Sequence, residues 1–212
     1  TEQKDGLDQL SVKNKVDMKM WILESLHMPL FNALLGRDVS PGYLYRDESR
    51  KANCDERIYF HRHIDELLYD AMGENIYNSI LIQGDSLSGK TRALFQAIKS
   101  FPDAWFYKFS SDSAKIVDEI NSVATYLENT VSDMQIYLII DDIHMLSNTA
   151  GLKSALKRLQ GLLSEEVKLV ATATTDCDLV HFDTVIKICP MSDDEYYEAQ
   201  LFCYRNAIST QS

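Results

Sequence analysis

The spacing of apolar residues changes period near residue 78. Before it, Val12, Val16, Met20, Leu23, Leu26, Leu30 and Leu34 recur at helical spacing. That pattern predicts a helix over 11–35, kinked at Pro29 and capped by Gly36. The stretch Arg37 to Arg57 is weakly patterned, holding Pro41-Gly42 and a charged run from Arg46 to Lys51, and reads as a linker or extended arm. A second helix is expected from His63 to Met72, ending before Gly73. From Asn78 onward, short apolar runs alternate with amphipathic segments. Strands are expected over Ser79–Gln83, Ala104–Phe109, Gln135–Ile140, Val167–Thr172 and Thr184–Cys189. Between them, helices are expected over Lys90–Ser100, Ala114–Glu128 and Ala150–Leu163, with a last helix starting near Asp193. Strands that are nearly all apolar have to be covered on both faces, which implies an α/β domain with a parallel sheet.

Composition narrows this picture only a little. The 212 residues are 45% hydrophobic and 25% charged, which fits one α/β domain with an appendage. Twenty-one Lys and Arg face 32 Asp and Glu, a formal charge of −11. That balance argues against a module that coats nucleic acid, where clustered cations must displace counterions. The four cysteines, Cys54, Cys177, Cys189 and Cys203, form no CxxC pair and read as reduced thiols in a cytoplasmic setting. The longest apolar cluster, Ile136 to Ile140, is strand-sized, far below the roughly 18 residues of a membrane span. The chain opens on Thr1 without a signal-peptide pattern, and the expectation is a segment of a longer protein.

The chemistry begins where the first expected strand ends. Gly84-Asp85-Ser86-Leu87-Ser88-Gly89-Lys90-Thr91, with Arg92 after it, matches GxxxxGK[ST], a phosphate-binding loop. Glycines let the backbone turn its N–H groups inward, Lys90 reaches the β- and γ-phosphates, and the Thr91 hydroxyl is placed for Mg²⁺. The following helix adds the positive end of its dipole. A strand before the loop and a helix after it supply the context that the motif requires.

A partner carboxylate stands at another strand end, where Asp141 and Asp142 follow the run QIYLII directly. Asp141 is the candidate Mg²⁺ ligand, since hard cations take oxygen donors and keep their waters. Asp142 is a candidate for polarising an attacking water, or else a cap on the next segment. The fourth strand leaves through Thr172, Thr174 and Thr175, and Thr174 or Thr175 is a candidate sensor of the γ-phosphate. Other motifs fail on context. Asn14-Lys15-Val16-Asp17 matches a guanine-reading pattern but lies inside the expected helix and ahead of the phosphate loop. Cys177 with His181, or Cys54 with His61 and His63, falls short of a zinc ligand set, and there is no GxSxG elbow.

With those residues in place, the chain resembles the P-loop NTPases of the AAA+ and STAND branches over about residues 57–200. The STAND group, nucleotide switches of signalling and defence proteins, is the nearer match. Tyr59-Phe60-His61-Arg62 ahead of an acidic helix looks like that family's lead-in segment, KLVATATT like its sensor strand, and Cys189-Pro190-Met191 before Asp193 like its exit from the fifth strand. The resemblance implies a three-layer sandwich with a five-stranded parallel sheet of order 5-1-4-3-2. It places residues 1–56 in an N-terminal helical arm and linker, 57–206 in the nucleotide-binding domain and 207–212 in a tail. It also implies ATP or ADP with Mg²⁺ as ligands, with the base near Phe60 and Arg62. Lys90 and Asp142 would serve catalysis.

The departures point to a slow ATPase used as a switch. His61 replaces the usual glycine, Asp176 stands where some members carry arginine, and Asp142 stands where AAA+ motors carry glutamate. Lys153, Lys157 and Arg158 look like a solvated helix face rather than an arginine finger. The expected partners are other domains of the same longer chain or further copies of it. The alternative is an AAA+ motor or loader acting on nucleic acid or protein.

Overall fold

The computed structural model describes residues 32–44, 59–129, 134–146, 149–174, 176 and 178–209, with side chains as far as 205. Most of the expected first helix, the Asn14 to Asp17 motif, Cys54, Thr175 and Cys177 lie outside the described residues.

Among the described residues, six strands form one sheet: β1 Leu34–Leu35, β2 Ser79–Gly84, β3 Trp105–Lys108, β4 Ile136–Ile140, β5 Val167–Ala173 and β6 Thr184–Ile188. Their order across the sheet is β1-β3-β4-β5-β2-β6. The pairs among β2 to β6 are parallel, in registers such as Leu81 opposite Ala171 and Val185. The helices are α1 Pro41–Leu44, α2 His63–Gly73, α3 Lys90–Lys99, α4 Ile116–Asn129, α5 Leu152–Gln160 and α6 Asp193–Ser209.

Alternation along each strand splits the core in two. Leu81, Tyr107, Leu138, Leu169 and Ala171 face α4 and α5. Ile80, Ile82, Phe106, Tyr137, Ile139 and Val170 face α2 and α3. Successive strand residues point to opposite faces, so a strand apolar at every position needs a helical layer on each side. The result is a three-layer sandwich.

Two expectations need correction. Among the described residues the sheet has six strands rather than five: the five parallel ones are joined by β1, which pairs antiparallel with β3, Leu34 opposite Phe106. Leu34 and Leu35 therefore end no helix, and Gly36 opens a 3-10 turn, Gly36–Asp38, instead of capping one. Tertiary pairing overrides helical spacing here, because the exposed edge of β3 offers hydrogen-bonding groups that a helix leaves unpaired. Nor is all of 37–57 an extended arm. Residues 41–44 are helical, and Val39 and Leu44 are buried in the core.

Lys168 is the charged residue inside β5 and is fully buried. Its ammonium donates to the main-chain carbonyls of Met72 and Glu74, and Tyr137 Oη donates to Met72 O at 2.9 Å. The two side chains satisfy carbonyls that the end of α2 leaves open. Burial pushes the pKa of Lys168 down and that of Tyr137 up.

Candidate functional site

Because β2, β4 and β5 run parallel, their carboxyl ends meet at one rim of the sheet, where α/β folds bind ligands. The loop Asp85 to Gly89 crosses that rim between β2 and α3. Leu87 and Gly89 adopt left-handed backbone, φ 66° and 96°, which turns successive N–H groups toward one centre. Gly84 is required by space: a Cβ there would lie 2.7 Å from Ile188 O and 2.7 Å from Ser88 Oγ. Lys90 is 6% exposed, and its Nζ donates to Gly84 O at 2.9 Å and Asp85 O at 2.8 Å. The ammonium is thus held at the mouth of the loop.

Asp141 and Thr91 come together across the rim, Thr91 Oγ1 donating to Asp141 Oδ1 at 3.3 Å. The same oxygen accepts from Thr172 Oγ1 at 2.7 Å, and Lys108 Nζ lies 4.0 Å from Oδ2. Asp142 turns into left-handed backbone, φ 54°, a conformation that Asp adopts more readily than most residues. Its N–H donates to Thr172 Oγ1 at 2.8 Å, so one threonine ties the Asp141 carboxylate and the Asp142 main chain to β5.

On the other side of the loop lies a cavity of about 220 Å³, lined by Tyr59, Phe60, Arg62, Ile64, Ser88, Gly89, Arg92, Ala93, Ile188 and Met191. Arg62 is braced against its wall, with Nη2 donating to Cys189 O at 2.9 Å and 3.4 Å from Glu195 Oε2. The Ser192 N–H and then the Arg62 guanidinium hold the Glu195 carboxyl below its usual pKa. The Arg92 guanidinium stands over the Tyr59 ring, 5.1 Å from its centroid. Tyr59 Oη donates to Asp65 at 2.5 Å, and burial with that bond raises the Tyr59 pKa. Tyr59 therefore stays neutral.

The structure brings Gly84 to Thr91 and Asp141 together, with Asp142 on the same rim. Phe60, Arg62 and Arg92 line the cavity beside the loop, and Thr174 sits at the end of β5. Sequence reasoning gave no site role to Tyr59, Ile64, Ile188 and Met191, which reach the cavity only because β6 and the segment before α2 flank β2 and α3. It also gave none to Thr172, Lys108 and His144. For His144 the one available signal was its place three residues after Asp141.

The donor set suits a nucleotide and a hard cation. Thr91 and Asp141 offer oxygen, and Ser88 Oγ, on the cavity wall, is buried with no hydrogen-bond partner among the described residues.

A three-layer α/β sandwich with this loop at the carboxyl end of β2, between a parallel strand on either side, has the P-loop NTPase fold. No family model and no curated protein matches the sequence. Among solved structures the chain is similar to C. elegans PCH-2, with a TM-score of 0.53 and 14% identity over 68% of this chain and 47% of that one. It is also similar to katanin, in a structure described as the basis of katanin self-assembly, with a TM-score of 0.54 and 17% identity over 84% of this chain and 62% of that one. The chain thus spans less than two thirds of either neighbour. At these identities the likeness is one of fold alone.

Proposed function

We propose that the chain is a Mg²⁺-dependent adenine-nucleotide module that hydrolyses ATP slowly and changes conformation or assembly with nucleotide state, within a larger STAND-like signalling or defence protein. The observation that carries this reading is the meeting of Lys90, Thr91 and Asp141 at one rim, beside a cavity walled by Phe60, Ile64, Ile188 and Met191. The loop N–H groups and Lys90 bind phosphate oxygens, and the apolar slot takes the base. Thr91 and Asp141 would hold Mg²⁺, which when bound neutralises phosphate charge. In this reading Asp142 accepts a proton from the attacking water. A short aspartate arm in place of a longer glutamate supports slow turnover, as does Asp176, which accepts from Gln83 Nε2 at 2.7 Å. That bond fixes a third carboxylate, beside Asp141 and Asp142, on the same rim.

ATP and ADP titrations with wild type, Lys90→Ala and Asp142→Asn test this. Lys90→Ala is expected to weaken both nucleotides by about tenfold or more, the worth of a charge-assisted contact. Asp142→Asn is expected to bind normally and lose hydrolysis. Turnover by the wild type well above about 1 s⁻¹ would contradict a switch, since that is the range of working enzymes.

The second reading, an AAA+ motor or loader, draws on the likeness to katanin, whose structure concerns self-assembly. It expects ATP to drive discrete oligomers. Light scattering with ATP, ADP and no nucleotide separates the readings: a closed ring formed only with ATP favours the motor.

A further inference from the structure

The sensor threonine does not stand alone. His144, in the 3-10 turn Ile143–Leu146 that follows β4, faces it with both ring nitrogens. The Thr174 N–H meets His144 Nδ1 at 3.3 Å, and Thr174 Oγ1 lies 2.7 Å from His144 Nε2. A main-chain N–H can only donate, so Nδ1 must accept and carries no proton. The imidazole proton is then on Nε2, where it is donated to Thr174 Oγ1. With one lone pair of the hydroxyl engaged in this way, its own hydrogen is turned away from the ring and is left to donate elsewhere. Thr174 directly follows β5, which lies between β2, leading into the phosphate loop, and β4, leading into Asp141.

We propose that His144 is a positioning residue that fixes the Thr174 hydroxyl as a hydrogen-bond donor toward the γ-phosphate of ATP, so that the pair distinguishes nucleoside triphosphate from diphosphate. The inference rests on the nucleotide reading above. It adds to that reading the device that makes the site respond to the third phosphate.

The test compares ATP with ADP on the full chain, in Mg²⁺, for wild type, Lys90→Ala, His144→Ala, His144→Gln, Thr174→Val and the double variant His144→Ala/Thr174→Val. ADP binding serves as the check on folding. Thr174→Val and His144→Ala should each reduce the preference for ATP over ADP by about tenfold, the worth of one hydrogen bond to a charged group. ADP affinity should be unchanged. Glutamine offers one acceptor and one donor, as the neutral imidazole does, and should restore the preference. The double variant should be no worse than Thr174→Val, since His144 acts only through that hydroxyl. Equal losses of ATP and ADP affinity in His144→Ala would overturn the inference, and so would losses that add in the double variant, while nucleotide binding itself stood. Wild type binding no better than Lys90→Ala would overturn the nucleotide reading and this inference with it.

Discussion

At the scale of single residues, the phosphate loop is governed by what cannot be added to it. Gly84 has no room for a methyl group, because both atoms in the way belong to the site: a carbonyl of β6 and the Ser88 hydroxyl. Gly84→Ala is therefore expected to cost about 1–3 kcal/mol by overpacking and to lose nucleotide binding. A denaturant melt paired with an ATP titration checks both halves. Asp142 makes the complementary point. Asparagine shares aspartate's tolerance of left-handed backbone, so Asp142→Asn changes charge with little change of shape, whereas alanine there would add strain. The residues legible in the sequence were those whose neighbours are local: Gly84, Lys90 and Thr91 within one loop, Asp141 and Asp142 at the end of one apolar run. Thr172 and Met191 were illegible because their roles come from strands and loops far along the chain. A threonine in a strand carries the same local pattern whether or not a carboxylate stands beside it.

At the scale of elements, strands with an uninterrupted apolar pattern were readable to within a residue or two, as β2, β4 and β5 show. The segment 32–44 was not. Leu30 and Leu34 continue a helical spacing, and nothing nearby in sequence announces that Leu34 will lie opposite Phe106. Gly36 also approaches main chain closely, since a Cβ there would lie 2.2 Å from Phe101 O. Tyr43 Oη adds a further tie, donating to Phe106 O at 3.0 Å and accepting from the Lys108 N–H at 2.9 Å. The basic residues of α5, read as a solvated face, are exposed, and Arg158 among them pairs with Glu128 of α4 at 2.8 Å, joining two helices of one layer.

The end of α2 yields a prediction with a definite pH sign. Tyr137→Phe removes the bond to Met72 O and should lower stability by about 1 kcal/mol near neutral pH. Folded Tyr137 keeps its proton above the ordinary tyrosine pKa, while the unfolded chain gives it up near pH 10. The native state then binds more protons, so this tyrosine's contribution falls as pH rises through that range. Denaturant melts of both proteins should show the deficit of the phenylalanine variant narrowing between about pH 9 and pH 11. A deficit constant with pH would contradict the assignment.

For the whole molecule, the net charge of −11 sets a long-range field unfavourable to anions. Under the proposed function, capture of phosphate falls to Lys90, the loop N–H groups and the start of α3, all acting within a few ångströms, against that field at longer range. Screening weakens the long-range part first. Stopped-flow association of ATP should therefore speed up as salt is raised from low ionic strength; a rate that falls would show that local cations set the approach. The three-layer architecture was visible in advance from the apolar strands, since only a sheet covered on both faces accommodates them. The count of strands was not.

The added strand matters for anyone who trims this protein. Cutting at the start of the recognisable motifs, near residue 57, would remove β1 together with buried Val39 and Leu44. What remains would carry every residue of the phosphate loop, yet the flank of β3 would be stripped of its cover and free to zip onto a second sheet. A shortened version would then be expected to clump in a way that mimics nucleotide-driven assembly, but with indifference to ATP.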